Sequence, residues 1–306
     1  MKIAFSARGM NAYPYLWPGP APIETRRRFF SFAREQGADG VEVEETWLPF
    51  WQMSESDLRA FRDELTGYNL VAGALKVGGN NLCHPKVRDQ NLDRLLRSVE
   101  IASWLNTEVI SSSLPGPAEL YEASDNDRIG AARSYGSSRD ASPEDFEQTA
   151  RRLQQVADHA AKYGLKFAIE IHQNSIADNS SATLRLVEMT DRPNVGINPD
   201  LGNVLWTYNI PEESWADTIR NTASKMVFWH MKNMRRVYLP EANRAVFIRT
   251  NVPSGEIDYR YAIEIAHAAG FRGFISIEGG AGNTGDEFYN SAVSIGYVRS
   301  IISSLT

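Results

Sequence analysis

The chain has 306 residues, of which 42% are hydrophobic, and this length is enough for one large domain with a substantial core. A formal net charge of −6, with basic residues scattered along the chain, argues against a nucleic-acid-binding surface and favours a small-molecule ligand. No uninterrupted apolar stretch near the N terminus has the length of a signal peptide or membrane span, and a single cysteine, Cys83, cannot form an internal disulfide. We therefore expect a cytoplasmic protein without membrane association.

Short apolar segments alternate with helical patterns along the whole chain, which is typical of parallel strands joined by crossover helices. The eight predicted strands are, in chain order, KIAFS around Ile3, GVEVE around Val41, LVAGALKV around Ala72, TEVISSS around Ile110, KFAIEIH around Ile169, VGINPD around Ile197, MVFWHMK around Phe228 and GFISIEG around Ile275. No low-complexity linker divides them. Residues 1–306 are therefore predicted to form one α/β domain, a single (β/α)₈ barrel.

The predicted helices carry start and stop signals in the sequence. Ser142 offers a cap before Pro143 and two acidic residues, and Gly164 follows the last turn of the same helix. These signals predict a helix that begins at Pro143 and ends before Gly164. Similar starts are predicted at Ser54, with Asp57 three residues later, and at Asp258, and similar stops at Gly37, Gly67 and Gly270.

Two segments are longer than ordinary connections between a strand and a helix. Residues 114–141 follow the fourth predicted strand, and residues 233–256 follow the seventh. In a parallel barrel these loops lie on the face where active sites are built. We predict that they cover or shape a substrate pocket, the alternatives being a surface excursion or a subunit contact.

Four residues at the carboxyl ends of the last four strands are predicted to hold a metal ion. Glu170, Asp200, His230 and Glu278 each close a short apolar segment, and the carboxyl ends of neighbouring barrel strands lie at one level. A divalent cation compensates three buried carboxylates and one imidazole together. This donor set suits Mn²⁺, our prediction, or Mg²⁺ or Co²⁺ better than a thiolate-bound zinc. Taken singly, each acid has the alternative of a salt bridge or a helix cap.

Two more polar residues share the inward face with the predicted ligands. His172 follows Glu170 by two positions, and Lys232 follows His230 by two positions. We predict that both take part in catalysis, by transferring protons or binding substrate hydroxyl groups. The alternative for each is a hydrogen bond that supports a ligand carboxylate.

Residues in the loops after the strands are candidates for substrate binding. Aromatic rings there stack on sugars or aromatic aglycones, or else pack the loop against the barrel. Arginines in the loop after the seventh strand bind phosphate or carboxylate, or else remain solvated charges; we expect a substrate without phosphate. The predicted substrate-binding residues are Trp47, Trp51, His84, Asn203, Trp206 and Arg235.

These segments resemble the xylose isomerase-like TIM barrel superfamily, the sugar phosphate isomerase/epimerase group that includes tagatose-3-epimerase-like enzymes and inosose dehydratases. The resemblance spans essentially the whole chain and is carried by IEIH, NPDLGN, FWHMKN, SGEIDY and ISIEGG. It implies a divalent-metal-dependent sugar isomerase or epimerase in carbohydrate metabolism. In such enzymes the glutamates that match Glu170 and Glu278 contact the metal and exchange protons with the sugar, through a metal-stabilised enediolate.

Departures from the family pattern leave other activities open. Asn203 stands where many relatives have histidine, and no Asp-x-His pair follows the seventh strand, which weakens a similarity to the multi-zinc endonucleases of this fold. The segments EIHQ and KNMRRVYLPEANR resemble the catalytic subunit of C-glycoside deglycosidases, which cleave 3-keto-glycosides. That subgroup implies a metal-dependent lyase acting by β-elimination, with His172 as acid or base. A third class is a catalytically silent sugar-binding subunit that keeps the metal for structure.

The resemblance also bears on the partners of this chain. It implies a small-molecule sugar or keto-glycoside as the substrate, and no nucleic acid or membrane as a partner. We expect a homo-oligomer. The deglycosidase subgroup implies the alternative of a hetero-oligomer with a small β-rich subunit.

Overall fold

The computed structural model describes residues 1–6, 22–117, 137–206, 211–242, 244–278 and 286–305. Eight parallel strands form one sheet and two more strands form an antiparallel hairpin. The strands are β1 (Lys2–Ser6), β2 (Gly40–Glu44), β3 (Val71–Val77), β4 (Val109–Ser112), β5 (Lys166–Glu170), β6 (Val195–Asn198), β7 (Trp229–Met231), β8 (Asn233–Leu239), β9 (Arg244–Thr250) and β10 (Phe274–Glu278).

The parallel sheet is a nearly closed barrel. Its strand order is β6-β5-β4-β3-β2-β1-β10-β7, so the first strand pairs with the last, and the hairpin of β8 and β9 intervenes in sequence between β7 and β10. The two ends of this order meet where the backbone N–H of Val227, just before β7, donates to the carbonyl of Ile197 in β6 at 3.1 Å. The predicted (β/α)₈ fold is confirmed.

Helices surround the barrel, and the three that were predicted to begin after Ser54, Ser142 and Asp258 do so. The helix bounds are α1 (Ile23–Glu35), α2 (Glu55–Gly67), α3 (Arg88–Leu105), α4 (Pro143–Ala161), α5 (Ser180–Thr190), α6 (Leu201–Leu205), α7 (Trp215–Thr222), α8 (Tyr259–Ala268) and α9 (Glu287–Ser304). Reciprocal hydrogen bonds join Ser142 to Asp145 and Ser54 to Asp57, so the two predicted capping boxes are confirmed. α2 ends at Gly67, as predicted, although the left-handed residue that follows the helix is Asn69, with φ of 55°.

The core has two parts, one inside the barrel and one between the barrel and its helices. The outer part is the larger, and the indole of Trp47 and the ring of Phe30 are fully buried in it. Burial of a large apolar side chain stabilises the fold by roughly 1.5–3 kcal/mol relative to exposure. The inner part is a small apolar layer toward the amino ends of the strands, formed by Ala4, Ala74, Val109, Ala168, Phe228 and Phe274.

The sequence predicts a long loop after the seventh strand, but much of this segment forms two strands. Residues 233–250 form the hairpin of β8 and β9, paired from Asn233 with Thr250 to Leu239 with Arg244. Met234 and Ala245 are buried, whereas Val237 is 46% exposed. Apolar residues occur on both faces of the hairpin, so the sequence shows no clear strand alternation there.

Of the other long segment, residues 118–136 lie outside the described residues. Its beginning is held by the loop after β5, where the backbone N–H of Ile176 and the hydroxyl of Ser175 donate to the carbonyl of Leu114 at 3.0 and 2.8 Å. Within the described ranges, the helices are all too short or too polar to cross a bilayer.

Candidate metal and substrate site

The four predicted metal ligands converge at the carboxyl end of the barrel. Glu170 ends β5, His230 lies in the middle of β7 and Glu278 ends β10. Asp200 lies two residues beyond β6 and caps α6, because its Oδ1 accepts from the backbone N–H of Asn203 at 3.2 Å. One donor atom of each residue lies within 4.8 Å of those of the others, and all four residues are buried.

This group fits a hard divalent cation. Oxygen ligands bind such ions at roughly 2.0–2.6 Å, so donors on opposite sides of one ion lie roughly 4–5 Å apart. The largest separation here, 4.8 Å, falls in that range. Three carboxylates, one imidazole and no thiolate favour Mg²⁺, Mn²⁺ or Co²⁺ over a structural zinc site.

Two lysines reach the same group and neutralise part of its charge. The Nζ of Lys232 donates to Asp200 Oδ2 at 2.7 Å and to Glu278 Oε2 at 2.8 Å. The Nζ of Lys76 contacts Glu170 Oε2. Lys232 was a predicted site residue, whereas Lys76 was not, although its place in β3 puts it on the inward face.

A further carboxylate that the sequence reading missed completes this network. Glu42 in β2 is fully buried, and its Oε1 accepts from Nε2 of His230 at 2.6 Å. Four carboxylates thus face two ammonium groups, so with a neutral imidazole the network carries two net negative charges. Since uncompensated buried charge costs several kcal/mol, a divalent cation bound here would stabilise the network by balancing its charge. The signal for Glu42 was the presence of acids inside the apolar segment GVEVE.

The imidazole of His230 is fixed by contacts on all sides. Its Nδ1 lies 3.1 Å from Glu170 Oε1 and 3.4 Å from Glu278 Oε1, on the side of the predicted metal. Its backbone N–H donates to Asn198 Oδ1 at 2.6 Å. The ring of Phe228 packs edge-on against it from below, with centroids 5.2 Å apart.

His172 lies beside the metal group as a neutral base. Its Nδ1–H donates to the carbonyl of Gln173 at 2.6 Å, which leaves Nε2 as a hydrogen-bond acceptor. Loss of hydration and then the positive charge of Lys232 lower the pKa of His172 to about 4. Its imidazole is therefore uncharged near neutral pH.

Two of the predicted substrate-binding residues adjoin the metal group. The amide Nδ2 of Asn203 donates to Glu170 Oε1 at 3.3 Å and to the carbonyl of Ile171 at 3.0 Å, so it supports a predicted ligand. Trp206 lies at the rim, with Lys232 Nζ 5.8 Å from its ring centroid and the guanidinium of Arg249 at 4.4 Å. Contact of the Trp206 ring with a substrate stays a prediction.

The structure does not bring Trp47 or Arg235 to this group. Trp47 is fully buried in the helical layer, with its ring centroid 6.3 Å from that of Phe30 and 5.8 Å from that of Phe61. This is the packing role that was the alternative for Trp47. Arg235 lies on the exposed face of the hairpin, where its Nε donates to the carbonyl of Ser254 at 3.1 Å.

Trp51 and His84 take part in the loops after β2 and β3. The indole N–H of Trp51 donates to Glu45 Oε2 at 2.6 Å, and the guanidinium of Arg94 lies 4.9 Å from its ring centroid. His84 is buried, and its Nδ1 accepts from the backbone N–H of Lys86 at 3.2 Å. Both side chains therefore order these loops, and their binding to substrate stays a prediction.

Comparison with known families and proteins agrees with this geometry. The family model described as "Xylose isomerase-like TIM barrel" matches residues 30–294. A curated relative, the 3-dehydroshikimate dehydratase of Bacillus anthracis, is 20% identical over 211 residues, which cover 66% of this chain and 64% of the relative.

Two solved structures share the fold over nearly their whole length. A xylose isomerase-like TIM barrel protein from Mycobacterium smegmatis in complex with magnesium superposes with a TM-score of 0.78 and 20% identity, covering 99% of this chain and 97% of that one. D-psicose 3-epimerase of Clostridium cellulolyticum superposes with a TM-score of 0.70 and 18% identity, covering 99% of both chains.

Proposed function

Because the chain belongs to the xylose isomerase-like TIM barrel family, we propose that it is a metal-dependent enzyme that removes a proton from a carbon next to the carbonyl group of a sugar-like substrate. The observation that carries this proposal is the buried group of Glu170, Asp200, His230 and Glu278, with its donor atoms within 4.8 Å of one another. These four residues would hold Mn²⁺, Mg²⁺ or Co²⁺. When bound, such an ion polarises the substrate carbonyl and offsets the negative charge that develops on its oxygen.

His172 is the base that the geometry supports best. Its Nδ1–H is engaged by the carbonyl of Gln173, so Nε2 presents a lone pair. By contrast, Glu170 and Glu278 are each held by a lysine ammonium group. Such pairing holds both carboxylates in place as metal ligands.

A base at this position favours β-elimination from a keto-glycoside. The C–H bond next to the carbonyl breaks and its proton goes to Nε2 of His172. The electron pair forms a carbon–carbon double bond, and the bond to the leaving group on the next carbon breaks. The leaving group takes up a proton from Lys232 or from water. The similarity to a dehydratase, an enzyme that eliminates water, supports this outcome.

Epimerisation or isomerisation is the second candidate, favoured by the placement of the two glutamates. Glu170 on β5 and Glu278 on β10 enter the site from strands that are not neighbours in the sheet. One is placed to take the proton and the other to return it to the opposite face of the same carbon. The similarity to a D-psicose 3-epimerase supports this candidate.

The charge of the site favours an uncharged substrate. The described network of four carboxylates and two lysines becomes neutral when a divalent ion is added, so it holds no surplus positive charge for a phosphate group. Of the four arginines predicted as phosphate-binding candidates (Arg235, Arg236, Arg244 and Arg249), Arg235 lies on the exposed face of the hairpin, whereas Arg249 lies beside Trp206 at the rim. We therefore propose a keto-sugar or keto-glycoside without phosphate.

The test is a screen of keto-sugars and 3-keto-glycosides with Mn²⁺ in deuterated water, in which deuterium incorporation and released aglycone are measured together. We expect aglycone release by the unmodified protein. In the His172→Ala variant we expect release to fall by a factor of about 10²–10⁴, the usual contribution of a positioned base. His159→Ala is the matched control, because His159 lies on α4 and contacts Tyr163 instead of the site.

The other outcomes separate the candidates. Deuterium exchange and a new sugar epimer without aglycone release, lost in Glu278→Gln and kept in His172→Ala, would replace elimination by epimerisation. No exchange with any of these compounds would refute both reactions and favour a sugar-binding subunit.

A further inference from the structure

Glu42 is a buried carboxylate that is not among the four candidate ligands but touches one of them. It lies in the middle of β2 and is fully buried. Its Oε1 lies 2.6 Å from Nε2 of His230, and its Oε2 accepts from the hydroxyl of Ser276 at 2.7 Å. Both oxygens of Glu42 are therefore engaged, one by β7 and one by β10.

We propose that Glu42 is a positioning residue that fixes the tautomer and orientation of His230 for metal binding. With a metal ion bound at Nδ1, the proton of the imidazole would lie on Nε2, where an ionised Glu42, which only accepts hydrogen bonds, would hold it. Nδ1 then presents its lone pair toward the side where Glu170 lies at 3.1 Å and Glu278 at 3.4 Å. The inference rests on the metal site of the proposed function.

The contacts around Glu42 and His230 leave the ring little freedom. The backbone N–H of His230 is bound by Asn198 on one side of the barrel, and the hydroxyl of Ser276 orients Glu42 on the other. Partners of this kind behind a ligand histidine raise the basicity of the ligand and set its direction, and their loss typically weakens metal affinity 10–100-fold.

The chain offers a matched control on the same strand. Glu44 is also a buried glutamate of β2 and lies two residues further along on the same face. Its Oε1 accepts from the hydroxyl of Ser6 at 2.6 Å, whereas the bond to Nε2 of His230 is made by Glu42. A variant of Glu44 therefore removes a buried carboxylate of the same type without removing the bond to the imidazole.

The first test is calorimetric titration of the purified protein with Mn²⁺. We expect Glu42→Ala to weaken the affinity 10–100-fold and Glu42→Gln to weaken it less, because the amide oxygen still accepts from Nε2–H. Glu44→Gln is expected to remain within threefold of the unmodified protein. Equal affinities for the unmodified protein and for a folded Glu42→Ala variant would overturn the inference.

The second test observes the imidazole itself and does not depend on turnover. In protein with ¹⁵N-labelled histidine and bound Zn²⁺, we expect His230 to carry its proton on Nε2, with slow exchange of that proton with water. His230→Asn assigns the signal among the five histidines. In Glu42→Ala the slow exchange is expected to be lost and in Glu42→Gln partly kept. Slow exchange retained in Glu42→Ala would refute the role of Glu42.

The two tests also separate this inference from the proposed function. If the unmodified protein binds neither Mn²⁺ nor Zn²⁺, the metal site fails and the positioning role fails with it. If the unmodified protein binds metal and Glu42→Ala binds it equally well, only the positioning role fails.

Discussion

The interior of the barrel has two layers that are built by the same strands and differ in polarity throughout. The lower layer lies toward the amino ends of the strands and consists of Ala4, Ala74, Val109, Ala168, Phe228 and Phe274. The upper layer includes the residues that lie two positions further along the chain in each strand. They are Ser6, Lys76, Ser111, Glu170, His230 and Ser276. Side chains two residues apart in a strand share a face, so both layers face the barrel axis.

This difference shows how one set of strands divides stability and chemistry between its two ends. The lower layer contains apolar side chains, whose burial stabilises the barrel directly. The upper layer contains buried carboxylates and lysines, whose burial costs free energy unless each charge is compensated. We therefore expect substitutions in the lower layer to change stability, and substitutions in the upper layer to change metal binding and activity.

Phe274→Ala is expected to have the largest effect on stability. The ring is buried in the lower layer, and a Cβ built on Gly73 would meet it at 3.1 Å, so the ring packs closely on the backbone of β3. Removal of a buried phenyl ring costs about 3–5 kcal/mol. Denaturant unfolding measures this loss, and calorimetric titration with Mn²⁺ should show an unchanged affinity in the folded variant.

Phe274→Leu is the matched control, because it keeps most of the volume and is expected to cost less than about 1.5 kcal/mol. A Phe274→Ala variant that keeps its free energy of unfolding but loses Mn²⁺ affinity would contradict the assignment of stability to the lower layer and of metal binding to the upper layer.

Much of the fold could be predicted from the sequence, because barrel strands and helices are specified by local patterns. The apolar segments around Ile3, Ile169 and Ile275 became β1, β5 and β10, and the capping box at Ser142 begins α4. The hairpin of β8 and β9 was not predicted, since its pairing depends on contacts of one face with the barrel. Asn69 was missed at the end of α2 because glycine is the commoner left-handed residue there.

The candidate site could be predicted in part, for a physical reason. Residues at the carboxyl ends of strands meet in any parallel barrel, so the convergence of Glu170, Asp200, His230 and Glu278 followed from the fold. Glu42 and Lys76 lie inside their strands, where inward and outward faces of a short buried segment look alike in sequence. Whether an aromatic residue lines a pocket or packs under a helix, as Trp47 does, depends on tertiary contacts that no local pattern contains.

Binding of Mn²⁺ is expected to have the next largest effect on the free energy of unfolding, and it concerns the upper layer. The metal-free network carries two net negative charges, so the folded state is expected to bind the ion and the unfolded chain to bind it far less. At a free ion concentration of about 100 times Kd, this raises the free energy of unfolding by about 2.7 kcal/mol. Thermal unfolding with and without Mn²⁺ measures the change. The rise should be lost in His230→Gln, and an equal rise there would show that the ion binds elsewhere.

Ser142→Ala is the substitution with the smallest expected effect on stability. It lies at the carboxyl end of the barrel, as the upper layer does, but outside the charged network. Ser142 precedes α4, its hydroxyl accepts from the backbone N–H of Asp145 at 3.2 Å, and its own N–H donates to Asp145 Oδ2 at 2.9 Å. Loss of such a cap costs about 1 kcal/mol, whereas Ser142→Gly costs only about a few tenths of that. Denaturant unfolding should show this order, and Mn²⁺ affinity should be unchanged in both variants. A weaker affinity in Ser142→Ala would mean that metal binding depends on the whole end of the barrel, beyond the upper layer of inward-facing residues.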